Sequence, residues 1–204
     1  MNILALDLGT DYGFAIYKDD GKFISGTKKL RTYKEKFGAR FHEFRKWLLD
    51  IISKHSIDSV YFERVYGHKG VEAGHCYGGF MYTLASVSYQ QNIPCISFSV
   101  QAIKKFMTGK GNATKDEMIA AAREKGFNPE TDDEADAISV MLLAIKGQIN
   151  RNKKTNKSTS GSFQALGESG SRDPTISLAS DFFQRLTPNK HSKTDDSNKS
   201  KISV

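Results

Sequence analysis

Three strand-length apolar segments crowd into residues 1–30 with no room for a helix between them, and beyond them strands alternate with helix-length segments. Ile3–Asp7 reads as a strand. Gly13–Tyr17 and Lys22–Leu30 read as two more, joined by "KDDGK", whose Asp20-Gly21 pair is a hairpin signal. Such short links imply an antiparallel meander. Tyr33–His55 then carries Phe37, Phe41, Phe44, Leu48 and Ile51/Ile52 at three- and four-residue steps, the stripe of an amphipathic helix. "IDSVYFER" is a strand with Glu63 at its carboxyl end. "EAGHCYGGFMYTLASVSYQQ" is a helix weakened by glycine, and "IPCISFSV" is a short strand. Helices follow around Ala102–Phe106 and Lys115–Lys125. Asp133–Ile149 closes the domain as a helix with Ala137, Val140, Met141, Ala144 and Ile145 on its apolar face. Mixed order with a crossover helix implies a three-layer α/β domain with helices on both faces of the sheet.

The organised part is expected to end near residue 149. Residues 1–150 hold 20 Lys and Arg against 18 Asp and Glu, whereas residues 151–204 hold 10 against 5, so most of the formal +7 lies in the last quarter. From "NRNKKTNKSTSGS" onward, Lys, Asn, Ser and Thr dominate. That composition does not offset its ordering entropy, so 150–204 is expected to be a basic, disordered tail. "ISLASDFFQRL" within it is an amphipathic island. A pI near 9.3 points to a polyanionic partner. No apolar run approaches the ~18 residues of a membrane span. "MNILALDLG" lacks a charged leader region, so a cytoplasmic protein is expected. Cys76 and Cys95 are read as reduced thiols, and neither belongs to a zinc-ligand spacing.

Four acids stand where acids are costly. Asp7 ends the most apolar strand, Glu63 ends another, and Asp133 and Asp136 share a face at the start of an apolar helix. Strand ends and helix starts are where α/β sheets build their sites. Crowded carboxylates repel and stay ionised only with positive charge among them, and hard oxygen donors suit Mg²⁺ or Mn²⁺. Each acid alone has a plainer role. Thr131, Asp132 or Asp133 would serve as a helix cap, and Glu63 would pair with Arg64 or Lys69. The ensemble favours a metal site.

Together "ALDLGTDYGFAI", "VYFERVYGHKG", "VQAIKKFMTGKGNATKDEM" and "DDEADAISV" resemble the RuvC family of Holliday junction resolvases over about residues 1–146. The resemblance implies an RNase H-like fold with a mixed five-stranded sheet. It implies an endonuclease that resolves four-way or other branched DNA with two Mg²⁺ ions, Mn²⁺ being a substitute, and leaves 5′-phosphates. In that comparison Asp7 bridges both ions, Glu63 and Asp136 each favour one, and Asp133 completes a shell. Lys104 and Lys115 fall on basic positions near the scissile phosphate, and Tyr66 falls on an aromatic that touches unpaired or distorted bases. The family acts as homodimers, because a four-way junction needs two symmetric cuts.

The residues add their own reading of DNA contact. Lys104, Lys105, Lys110 and Lys115 cluster around "GKGNAT", which lacks the spacing of a nucleotide-binding P-loop, and Lys69 extends the basic set near Tyr66. Gly70, Gly74 and Gly78 recur every four residues and form either a smooth face at the dimer interface or a mobile loop. His68 and His75 are assigned no catalytic part. Competing readings are another RNase H-like nuclease acting on flaps or RNA hybrids, and a catalytically silent DNA-binding module. An actin-like ATPase domain also begins with "DLGT" but needs a second phosphate motif that is not visible in this chain.

Overall fold

The computed structural model describes residues 1–30, 37–67 and 70–159. Five strands, β1 (Ile3–Asp7), β2 (Asp11–Tyr17), β3 (Phe23–Lys29), β4 (Ser59–Arg64) and β5 (Cys95–Ser99), form one sheet in the order β3-β2-β1-β4-β5. The first three are antiparallel neighbours, and β4 and β5 run parallel to β1. Between and after them lie α1 (Phe37–His55), α2 (Val71–Gln90), α3 (Val100–Thr108), α4 (Lys115–Glu124) and α5 (Asp132–Thr159). This is the three-layer arrangement expected from the sequence.

Alternation along β1 divides the two cores. Leu4, Leu6 and Leu8 pack with Ile16, Val60 and Phe62 against Phe44 and Leu48 of α1 and Phe80 and Leu84 of α2. Ile3 and Ala5 point the other way, with Ala15, Tyr17 and Tyr61, onto Ala137, Met141 and Ile145 of α5 and Ile103 and Met118 of α3 and α4. The small side chains at 5, 15 and 137 let α5 lie close along the middle of the sheet. Asp7 continues the Ile3–Ala5 face by strand alternation, so it meets the start of α5.

Several boundaries differ from the sequence reading. β2 starts at Asp11, because Asp11 and Tyr12 already pair with Lys29 and Lys28 of β3. The last helix starts at Asp132 and continues through Thr159, past Ile149. Its extra segment, "RNKKTNKST", is polar but contains no Gly or Pro to stop propagation. Gly74 and Gly78 are helical residues of α2, so the loop reading does not hold for them. The glycine that α2 uses for packing is Gly79, where a Cβ would come 2.5 Å from the Phe41 ring of α1. The island "ISLASDFFQRL" lies outside the described residues.

Candidate active site

Asp7 and Glu63 end adjacent parallel strands. Leu6 is paired with Phe62, and one residue further on each strand turns an acid toward α5. The carboxyl end of β4 is held by the Tyr77 hydroxyl of α2, which donates to the Glu63 carbonyl (3.0 Å) and accepts from the Val65 N–H (3.1 Å). The third and fourth acids arrive with α5. Thr131 caps that helix: its hydroxyl accepts the Glu134 N–H at 3.1 Å and its carbonyl accepts the Ala135 N–H. Neither Asp132 nor Asp133 is therefore needed as the cap.

What brings α5 onto Asp7 is Gly13. It stands opposite Asp7 in the β1–β2 register, and a Cβ on it would lie 1.8 Å from the Asp133 carbonyl oxygen. Only a residue without a side chain admits that approach. Two polar contacts from the edge strand fix the same helix start. The Ser25 hydroxyl donates to the Glu134 carboxylate (2.7 Å), and the Thr27 and Thr131 hydroxyls share a hydrogen bond.

Burial and mutual repulsion raise the proton affinity of these acids. Burial, then the charges of Glu63, Asp136, Asp133 and Asp132, push the Asp7 carboxyl well above its usual range. Burial and Asp136 push Glu63 up to about 7 against the pull of Lys104. Burial likewise pushes Asp136 up to about 6, with Lys104 and Lys115 lowering it and Asp132 and Asp133 raising it. Half-buried carboxylates that resist ionisation alone are the chemistry that a hard divalent cation reverses. Among the described residues no three His, Cys, Asp or Glu side chains stand in metal-holding geometry. The oxygen donors of these acids fit a hard divalent ion by their chemistry.

Two lysines reach this cluster from the α3–α4 side. Lys104 donates to the Ala113 carbonyl at 2.6 Å, and its charge lowers both Glu63 and Asp136. Lys115, at the first turn of α4, forms an ion pair with Asp132. That pair holds Asp132 below the ordinary carboxylate range and raises Lys115. Lys110 and Lys105 are not gathered at the acids. Lys110 pairs with Glu117 at 3.0 Å, beside the Thr114–Glu117 capping box, so the "GKGNAT" segment also serves as the entry to α4. Lys105 is exposed on α3. Lys69 and His68 lie outside the described residues, and His75 is exposed on α2. Tyr66 follows Glu63 on the β4–α2 connection, 77% exposed, with the Arg64 guanidinium 5.3 Å above its ring. It borders a cavity of about 630 Å³ lined also by Val71, Gly74 and Met81.

Sequence reasoning missed Gly13, read as a strand start, and the partnership of Asp132 with Lys115. The four acids in "TDDEAD" signal the latter only once α4 is known to start beside them.

The chain that carries these acids has a match. Residues 3–144 fit the family model described as "Crossover junction endodeoxyribonuclease RuvC". The chain belongs to the RuvC family. RuvC of Ehrlichia canis (strain Jake) is 32% identical over 152 residues, spanning 70% of this chain and 94% of that one. RuvC of Ehrlichia chaffeensis (strain ATCC CRL-10679 / Arkansas) is 30% identical over the same extent. Solved RuvC structures share the fold at 18% identity. Thermus thermophilus RuvC, alone and in complex with a Holliday junction substrate, gives TM-scores of 0.58 and 0.59 over 69% of this chain and 90% of that one. The RNase H-like RuvC fold is thus established for this chain, which is an endodeoxyribonuclease of the crossover-junction type. RuvC nucleases depend on divalent metal. Among the described residues no helix is long and apolar enough to cross a membrane.

Proposed function

We propose that this RuvC-family chain resolves four-way DNA junctions at the cluster formed by Asp7, Glu63, Asp133 and Asp136. The observation that carries the reading is the rise in proton affinity of Asp7, Glu63 and Asp136 where two strand ends meet the start of α5. Asp7, Glu63, Asp133 and Asp136 would hold two Mg²⁺ ions, which would supply the Lewis-acid charge for hydrolysis of a phosphodiester bond to a 5′-phosphate and a 3′-hydroxyl. Mn²⁺ suits the same oxygen donors. Around them the protein positions the substrate. Lys104 places a fixed positive charge beside Glu63 and Asp136, and Lys115 does so beside Asp132, so the scissile phosphate meets cations before acids. Tyr66 offers an exposed ring for stacking an unpaired base, a contact worth roughly 1–3 kcal/mol. Lys105 and Lys110 add phosphate contacts further from the cut, and Lys69 joins them on its place in the sequence alone.

Paired cuts need a second copy of the chain. The open face of α2 suits one, because a Cβ at Gly70, Gly74 or Gly78 would touch nothing within 4 Å and Tyr82 and Tyr89 stand exposed on the same helix. Gly74→Leu is expected to weaken self-association in sedimentation velocity, and an unchanged profile removes α2 from the interface. The family match ends at residue 144, and we read 1–149 as the nuclease domain, with the rest of the chain a basic extension.

The decisive assay compares labelled four-way, three-way, flap and linear DNA in Mg²⁺. Wild type should cut the four-way junction in symmetric pairs with ligatable ends. Asp7→Asn should bind the junction and leave it intact. Efficient cutting by Asp7→Asn, or equal cutting of linear duplex, removes the proposal.

A further inference from the structure

We infer that Lys29 is a second phosphate contact on the β3 flank of the site, so that the DNA strand crosses the acids between Lys29 and the Lys104–Lys115 side. This rests on the nuclease reading. The sheet register places the residue. Ser25 is opposite Ala15, Thr27 opposite Gly13 and Lys29 opposite Asp11, so the three share one face of β3. That face is the one toward α5, since Ser25 bonds Glu134 and Thr27 bonds Thr131. Lys29 is the next step along it, just beyond the helix start, on the same face of the sheet as Asp7.

Distance and charge favour a backbone contact. Two strand spacings of about 4.8 Å and two residues of about 3.4 Å separate Asp7 from Lys29, roughly 12 Å between Cα atoms. At about 3.4 Å of rise per nucleotide, that is three or four nucleotides along one strand. Five acids gather at the site, and Lys104 and Lys115 approach it from the α3–α4 flank, Lys115 already paired with Asp132. A polyanion lying over those acids needs cations on the opposite flank as well. Lys29 is exposed, and its side chain makes no hydrogen bond or ion pair with another described residue. The Ser25 and Thr27 contacts tie its strand to the helix that carries Asp133 and Asp136, so its position relative to the cut is fixed by the fold.

The test uses the full chain and a labelled four-way junction in EDTA, with affinity measured between 50 and 200 mM KCl. Lys29→Gln keeps most of the stem and removes the charge. It should flatten the log–log salt slope by about 0.9 per copy bound and weaken binding at 100 mM about 3- to 10-fold. Lys29→Arg should restore both, and Lys54→Gln, on α1 at the opposite end of the sheet, should change neither. A Lys29→Gln protein with the wild-type slope and affinity overturns the inference while leaving the nuclease reading intact if wild type still cuts. A wild type that neither binds nor cuts the junction sinks both.

Discussion

Glu63→Gln should make the metal-free protein more stable while destroying its activity. The Glu63 carboxyl moves from its usual 4.5 to about 7 on folding, through burial and Asp136. The native state therefore holds that proton longer than the unfolded chain does. As pH rises from 4.5 to 7 the unfolded chain releases its proton first, stability falls across that window, and the penalty is complete above about pH 7. At ~1.4 kcal/mol per pH unit the interval amounts to about 3 kcal/mol. Solvent still reaches the half-buried group, and screening of that kind reduces the figure to roughly 1.5 kcal/mol. For a domain of this size that is roughly 3–6 °C in melting temperature. The assay is thermal unfolding in EDTA at pH 8 and pH 5.5, followed by Mg²⁺ addition. Glu63→Gln should melt higher than wild type at pH 8, and the gap should shrink to less than half at pH 5.5. Mg²⁺ should raise wild type more than the variant. If Glu63→Gln melts at or below wild type at pH 8 without metal, the idea of a strained, cation-seeking acid cluster is wrong.

Two other substitutions probe the geometry. Gly13→Ala drives a methyl group into the Asp133 carbonyl, so α5 must retreat; overpacking of this kind costs about 1–3 kcal/mol, and a displacement of about 1 Å costs roughly 100-fold in cleavage rate. Equal turnover and melting temperature would show that the helix does not depend on that approach. Lys104→Gln removes the charge that lowers Glu63 and Asp136, so the acidic limb of the pH–rate profile should move to higher pH, with the largest loss of rate at low pH; an unmoved limb would detach Lys104 from the acids.

The sequence revealed the parts of the site that break a local rule. An aspartate closing "ILALD", and a glutamate closing "SVYFE", are visible because apolar strands do not end in unpaired acids without cause. The pairing of the first three strands was legible for a similar reason: their segments are too closely linked to be anything but antiparallel. What stayed hidden was tertiary. Gly13 looks like any strand glycine until α5 is laid across it. Thr131 was one of three adjacent candidates for the same cap, and only the hydrogen bonds distinguish them. Lys110 reads as a DNA ligand, and its second role, pairing with Glu117 beside the capping box, is not visible in the sequence. The far end of α5 was misjudged because polarity was taken as a stop, whereas a helix continues through polar residues that carry no breaker.

The seating of Asp133 against Gly13 has a consequence for biosynthesis. The first strand hairpin emerges early from the ribosome, but the acids that complete the cluster come from the last helix. A growing chain without that helix has Asp7 and Glu63 but lacks Asp133 and Asp136, so the proposed site is incomplete until α5 is made. The blade is assembled only when the hilt is attached.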